Sequence, residues 1–356
     1  MPIVAGVDSS TQSVKVVLRD ADSGELVAST SRPHPDGSEV NPQHWWKALS
    51  EALDELSSHK ISAISIAGQQ HGMIALDKDG AVIRDALLWN DTRSDKAAED
   101  LNREIPDIAL RTGSQLVASF TASKVRWLAD SEKANANRVA AIALPHDWLS
   151  WKLSGAKSIE TLFTDRSDAS GTGYFDSRKN EYCLDILATA IRTNQEIILP
   201  KIIAPNQFGT TSTNSIPIAA GAGDNAGAAL GLGASLGDLV ISLGTSGTAF
   251  AISKSSTHDS SGEVAGFADA TGNFLPLACT LNAAKIFNTV AKSLSLSFEE
   301  FSSLALSANV GAEGLRIIPH FDGERTPNKP SAKGSFYGIT HSNFTKENIA
   351  RASIEG

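Results

Sequence analysis

Five short stretches of this sequence hold residue types that could act on a ligand. One is Gly221-Ala222-Gly223-Asp224-Asn225. The apolar run Ile216 to Ala220 leads into it, and Ala-rich sequence follows to Gly233. A strand delivering one carboxylate into a glycine-lined space, with a small-residue helix behind, fits this pattern. A lone carboxylate so placed suits a general base facing a hydroxyl group. The same aspartate could instead cap a helix over 225–232. A cap alone does not account for two glycines on the approach.

Two further stretches could hold phosphate. In Asp8-Ser9-Ser10-Thr11-Gln12-Ser13-Val14-Lys15, a strand-end carboxylate could hold magnesium or its water shell. Ser10, Thr11 and Gln12 follow in a turn where main-chain N–H groups can reach phosphate oxygens, and Lys15 adds a cation. In Gly244-Thr245-Ser246-Gly247, the glycines allow close backbone approach and the hydroxyls add donors. No Gly-Lys-Ser/Thr ends it, so it is not a P-loop. Taken alone, the first stretch is better explained as a surface hairpin with an Asp-capped turn, and a plain type I′ or II′ hairpin turn is a serious alternative for the second.

The last two stretches are Gln69-Gln70-His71 and Trp89-Asn90-Asp91-Thr92-Arg93, each after a short apolar run. Strand ends of open α/β sheets are where ligands bind. Amides, an imidazole, a carboxylate and an aromatic face suit a polyhydroxylated ligand. Against this, His71 could be a satisfied half-buried histidine, and Asp91 a helix cap. The sequence contains no His/Cys metal cluster, no Gly-x-Ser-x-Gly elbow and no dinucleotide fingerprint.

The elements that must carry these residues begin with strands over Ile3–Val7, Val14–Leu18 and Glu25–Thr30. Asn41-Pro42 then starts a helix, with Asn as cap and Pro at its first position. Trp45, Leu49, Ala52, Leu53 and Leu56 give it one apolar face. Ile61–Ala67 reads as a buried strand, Ala86–Trp89 as a strand end, and Ser94 as the start of a helix. Strands alternating with helices predict an α/β fold. Residues 196–217 are rich in Pro, Asn, Thr and Ser and read as a link between two domains, 1–213 and 214–356. The second half repeats the opening: a strand over Asp238–Leu243, a tight turn, and a returning strand over Thr248–Ile252. A duplication would place the two turns facing each other across a cleft.

At 356 residues, two domains are the natural expectation. A net charge of −9 argues against a general nucleic-acid or anionic-membrane binder, both of which need surplus Lys and Arg. It does not argue against a phosphate held locally by main-chain N–H groups and a metal ion. Two cysteines, Cys183 and Cys279, favour a reducing, cytoplasmic setting over a disulfide framework. No signal peptide and no apolar run of membrane-spanning length is visible.

In their order, these pieces resemble the FGGY family of carbohydrate kinases, most closely its xylulose kinases. Asp8…Thr11…Lys15 looks like the family's first phosphate turn. Ile66 to Gly72 and Leu88 to Arg93 look like its sugar-side motifs. Thr121 to Leu128 resembles its first signature, Gly221 to Asn225 the segment of the catalytic aspartate, and Ser242 to Gly247 the second phosphate turn. Gly323-Glu324-Arg325-Thr326-Pro327 and Gly334 to Glu355 resemble a late block. Ser9-Ser10 and Gln12-Ser13 depart from the first turn's usual small and apolar residues.

The resemblance implies two ribonuclease H-like lobes of the actin-like ATPase superfamily with a cleft between them. It implies ATP-dependent phosphorylation of D-xylulose, or a related pentulose, to the 5-phosphate. Asp224 would be the general base. Gln70, His71, Trp89, Asn90, Asp91 and Asn225 would line the sugar. Asp8, Ser10, Thr11, Gln12, Lys15, Gly244, Thr245 and Ser246 would hold ATP, with Mg2+ near Asp8. Closing the lobes would exclude water.

Family members continue past the position of Gly356 with a glycine-rich adenosine-binding segment. An incomplete second lobe is therefore expected, with exposed apolar surface, self-association or a compensating homodimer. ATP affinity is expected to be weak in this chain alone. The alternatives are a kinase for ribulose, gluconate or glycerol, a non-catalytic sugar-binding protein, or an actin- or chaperone-like ATPase. The Gln69–Gly72 loop argues against the last.

Overall fold

A computed structural model describes residues 2–193, 195–244, 246–321, 323–327, 329 and 331–356. The chain forms two compact units. The first comprises Met1–Gly237, Ile252–Ser260 and Ala265–Pro276; the second comprises Asp238–Ala251, Ser261–Val264 and Leu277–Gly356. The architecture is mixed α/β, as the alternation of apolar runs predicts.

The first unit is built on a seven-stranded sheet. Strands β1 (Ile3–Ser9), β2 (Ser13–Asp20) and β3 (Leu26–Pro33) form an antiparallel meander. In β2 the alternation is strict: Val14, Val16 and Leu18 are fully buried between outward residues that include Lys15 and Arg19. Strand Ile61–Gly68 lies parallel to β1 on its other side. Beyond it come Pro217–Ala219 and the antiparallel strand Phe208–Thr211, while Ala222–Gly223 also pairs parallel with Ile61–Gly68.

Helix α1 (Pro42–Glu55) begins as expected. The Asn41 side chain accepts a hydrogen bond from the Gln43 N–H at 3.0 Å, and Pro42 takes the first position. Its buried face, Trp45, Ala48, Leu49 and Ala52, packs into one apolar core with Val14, Val16 and Leu18.

Residues 196–217, expected to link two lobes, instead contribute to the first unit. They carry the strand Lys201–Ile202, the edge strand Phe208–Thr211 and a turn closed by the Ser212 N–H donating to the Ile216 carbonyl at 2.8 Å. Polar, turn-forming sequence serves an edge hairpin as well as a linker, and composition alone does not separate the two.

In the second unit, strands Leu239–Leu243 and Gly247–Ala251 form the expected antiparallel hairpin. Gly247–Phe250 pairs in turn with Leu277–Thr280. Helix Phe298–Ser307 opens with a reciprocal capping box between Ser297 and Glu300. It packs with helices Ala284–Ser293 and Lys346–Glu355 around Ile286, Val290, Phe301, Ile317 and Ala350. In helix Lys346–Glu355, Ile349 packs against this core, whereas Ile354 is exposed.

Strand Leu239–Leu243 lies at one edge of its sheet and turns Leu239, Ile241 and Leu243 outward on one face, 64%, 62% and 73% exposed. Replacing Ile241 with lysine should raise the soluble, monomeric fraction measured by light scattering while moving the melting temperature little. An unchanged scattering profile would count against this stripe as the adhesive surface. No helix among the described residues is long and apolar enough to cross a membrane.

Candidate active site

The chemistry-bearing residues of the first unit collect at one edge of three parallel strands. Asp8 and Ser9 of β1 stand in register with Ala67 and Gly68. Those same two residues stand in register with Ala222 and Gly223. The chain therefore presents Asp8 and Asp224 from the carboxyl ends of strands that flank a common neighbour, the position where open α/β sheets bind ligands.

Asp224 is the first residue of helix Asp224–Gly231; Gly223 occupies the cap position. The carboxylate instead accepts from the Asn225 N–H at 2.8 Å and from Asn225 Nδ2 at 2.9 Å through one oxygen, Oδ1. Burial pushes its pKa up to about 6; the Asn225 N–H pulls it down, and the nearby charge of Asp8 pushes it up again. Crowding by the protein raises the Asp8 carboxyl above its usual range, and Lys15, its register partner across the β1–β2 ladder, partly offsets the rise. Two carboxylates with raised affinities for protons at one sheet edge form an electrostatic setting fit for base catalysis or cation binding.

The first turn is held rigidly. The Ser10 N–H and hydroxyl both donate to the Ser13 carbonyl, at 3.0 and 3.1 Å. His34, which the sequence did not flag, braces the turn from β3: its N–H donates to the Gln12 carbonyl at 2.8 Å, and its Nδ1 lies 2.9 Å from the Ser10 carbonyl. Lys15 and Gln12 are exposed. Trp89 Nε1 donates to the Thr11 hydroxyl at 2.9 Å, and that hydroxyl donates to Gln69 Oε1 at 3.3 Å. Thr11 thus joins the Asp8–Lys15 turn to both the 69–71 and the 89–93 stretches.

Gln70 and His71 are buried. Gln70 Nε2 donates to the Ser167 carbonyl at 2.6 Å. His71 adopts φ 70° and places Nδ1 2.6 Å from the Gly171 carbonyl, with its ring clustered with Phe120 and Phe267 at centroid distances of 4.9 and 5.5 Å. Asn90 is exposed and reaches the Gly37 carbonyl at 3.4 Å. Asp91 is buried and tied on both oxygens, to the Ser38 hydroxyl at 2.8 Å and to Arg93 N–H and Nε at 3.0 and 2.8 Å. Those bonds outweigh burial and lower its pKa. Arg93 also pairs with Glu39 and lies over the Trp127 ring at 5.2 Å. The 89–93 and 121–128 motifs therefore meet in one scaffold.

Beneath this edge lies a buried cluster that the sequence reading did not find. Helix Arg166–Ala169 is capped by Asp165, which accepts from the Ser167 and Asp168 N–H groups at 2.7 and 3.0 Å. The Ser167 hydroxyl accepts from the Gly223 N–H at 3.0 Å. His146 Nδ1 lies 2.7 Å from Asp168 Oδ2, and Nε2 lies 3.1 Å from the Ala220 carbonyl. Asp147 stands 3.0 Å from the same ring, so the group has the donors of a metal site. Both ring nitrogens are already engaged by protein partners, which makes it a polar brace. The only sequence signal was Asp165-Arg166-Ser167-Asp168, a cap followed by an acidic first turn; Pro145-His146-Asp147 reads as an ordinary helix start.

The brace explains the glycines that set Asp224 apart in the sequence. A Cβ on Gly221, which has φ +80°, would come within 2.3 Å of His146 Cδ2, and one on Gly223 within 3.2 Å of the Gln70 side chain.

In the second unit, the Gly244 N–H donates to the Ser246 carbonyl at 3.0 Å, and the Gly244 carbonyl accepts from the Ala284 N–H at 2.9 Å. The turn is thereby anchored to the start of helix Ala284–Ser293. Thr245 lies outside the described residues.

The sequence matches the FGGY family of carbohydrate kinases, N-terminal domain, over residues 3–231, and the C-terminal domain of that family over 239–356. The xylulose kinase of Streptomyces coelicolor is 42% identical over the whole chain, which covers 74% of that protein. That of Escherichia coli K12 is 33% identical over 99% of the chain and 75% of its own length. Among solved structures, the xylulose kinase of Bifidobacterium adolescentis superposes with a TM-score of 0.91 at 42% identity, over 100% of this chain and 79% of that one. The gluconate kinase of Lactobacillus acidophilus gives 0.90 at 25% identity, over 100% and 76%. Matched across both of its domains and along its full length, the chain belongs to the FGGY family of carbohydrate kinases.

Proposed function

We propose that this kinase transfers the γ-phosphoryl group of ATP to the terminal hydroxyl of D-xylulose, giving D-xylulose 5-phosphate and ADP. One observation carries the reading. In a chain 42% identical to a xylulose kinase, Asp8 and Asp224 leave the ends of two strands that flank Ile61–Gly68, and Gln70 of the sugar loop packs beside Gly223. Asp224 accepts the hydroxyl proton as the oxygen attacks the γ-phosphorus and the bond to the leaving ADP oxygen breaks. Gln70, His71, Trp89, Asn90 and Asn225 face the sugar. Asp91 supports them by fixing Arg93 and Ser38, with its remaining lone pairs open to a sugar hydroxyl.

The main-chain N–H groups of Thr11 and Gln12, Lys15, and the Gly244–Ser246 turn serve the nucleotide phosphates, while the Ser10 N–H, bonded to the Ser13 carbonyl, shapes the first turn. Because the Thr11 hydroxyl proton goes to Gln69, phosphate contact at Thr11 falls to its main-chain N–H. An oxygen donor at a strand end fits a hard cation that keeps its water shell, so Asp8 is the residue to hold Mg2+. Bound there, the ion would neutralise phosphate charge.

The test is an ADP-release assay with a panel of D-xylulose, D-ribulose, gluconate and glycerol. D-xylulose should give a kcat/KM at least about tenfold above the others, a discrimination within reach of a site built to hydrogen-bond sugar hydroxyls. A higher value for gluconate would move the assignment to that branch. Sugar binding without phosphoryl transfer would make the chain a binding protein.

A further inference from the structure

We propose that His146 is a positioning residue for the phosphoryl-transfer step: its Nε2–H holds the Ala220 carbonyl and so fixes the Gly221–Gly223 segment that presents Asp224. The inference rests on the assignment of Asp224 as the base, and on geometry wholly within the first unit.

The Ala220 carbonyl can only accept, so the ring nitrogen 3.1 Å from it must carry a hydrogen. The other nitrogen lies 2.7 Å from Asp168 Oδ2, a contact that needs a second proton between them. The His146–Asp168 pair therefore holds two protons and no net charge, which makes its complete burial tolerable. Asp147 and Asp168 raise the imidazole's proton affinity against the effect of burial, in keeping with that count.

The neighbouring backbone is shaped around the ring. A Cβ at Gly68 would lie 2.8 Å from His146 Cβ, and one at Gly221 would collide with the imidazole itself. Asp168 is also joined to the sugar side. It shares a helical turn with Ser167, whose hydroxyl accepts from the Gly223 N–H and whose carbonyl accepts from Gln70. Together, His146 and the Asp168 turn fix the base segment at two points, Ala220 through His146 and Gly223 through Ser167, and the sugar loop at a third. Misplacing a reacting group by about 1 Å can cost on the order of 10²-fold in rate.

Two substitutions separate the halves of this brace. In His146→Gln the side-chain amide nitrogen falls near the place of Nε2 and can still donate to Ala220. In His146→Asn it falls near Nδ1 and reaches only Asp168. Hydrogen exchange of the peptide containing Gly223 should quicken at least about tenfold in His146→Asn and stay within about threefold of the parent in His146→Gln. Peptides from β1 and β2 should be unchanged in both. Turnover should follow. In His146→Asn, kcat falls on the order of 10²-fold with the sugar KM within about threefold, and His146→Gln is largely restored.

Equal exchange in the two variants, or parent-like protection in His146→Asn, overturns the proposal. So does a kcat loss shared equally by both, which is what mere loss of packing would give. If the asparagine variant does not fold, H146N/D168N removes the uncompensated carboxylate and the same comparison is made. Turnover that survives loss of Asp224 would instead defeat the base assignment, and the exchange comparison does not depend on it.

Discussion

Asp224→Ala lowers kcat for sugar phosphorylation by roughly 10³-fold, within the 10²–10⁴ range of a single general base, and leaves sugar affinity within about fivefold. The structure gives two reasons for so large a split. Asp224 does not cap its helix: its one engaged oxygen takes both hydrogen bonds from Asn225, so removing the carboxylate breaks no link to another element. Its carboxyl is also shifted in the direction a base needs. With a pKa near 6 it is mostly ionised at neutral pH yet a better proton acceptor than an ordinary aspartate.

The sign follows directly. Catalysis needs the ionised form, so kcat/KM for the sugar should rise with pH through about 6 and level off above 7. Alanine should remove that limb along with the activity. Near-normal turnover in the alanine variant, with an unchanged melting profile, would falsify the assignment. A pH profile already flat between 5 and 7 would show that another group carries the proton.

Much of the fold that carries the candidate site was legible in the residues, and less of what braces it. Strand alternation in Val14, Val16 and Leu18, the Asn41-Pro42 helix start and the two strand–turn–strand units all reappear in the fold. Each is a local pattern whose period or turn chemistry is set by a few neighbouring residues. What the sequence could not reveal depends on partners far along the chain. Ser167 lies 56 residues from Gly223 and 97 from Gln70, and His146 lies 74 from Ala220. A lone histidine after a proline carries no mark of such a contact.

Asp91 shows the converse. Its motif suggested a sugar contact but not that its two oxygens and Arg93 would also tie Ser38, Glu39 and Trp127 together. Residues 196–217 misled for a third reason: composition reports turn content, not whether a turn joins two units or closes a hairpin at a sheet edge.

The long-range character of the brace makes Gly221 the most vulnerable backbone position near the site. Gly221→Ala should destabilise the first unit by roughly 3 kcal/mol or more. The left-handed φ of +80° costs a residue with a Cβ about 1–2 kcal/mol, and forcing an extra carbon into a filled space adds about 1–3. The space is filled on two sides. The new carbon would lie 2.3 and 2.6 Å from His146 Cδ2 and Nε2, and 2.6 Å from the Ile66 carbonyl oxygen. Neither neighbour can yield easily, because the ring is buried against Asp168 and the carbonyl belongs to a central strand.

In a unit of this size the loss corresponds to a fall in melting temperature of roughly 6–12 °C. Activity should fall further than stability, since relief of the clash moves the segment that presents Asp224. Gly231→Ala, in the same helix as Asp224, is the control. It meets nothing within 4 Å and has no left-handed φ, so the extra methyl should leave the protein as stable or slightly more so. Thermal melts of the two variants decide the matter. A Gly221→Ala protein that melts within about 2 °C of the parent would mean that the base segment is held less tightly than its contacts with His146 and Ile66 require.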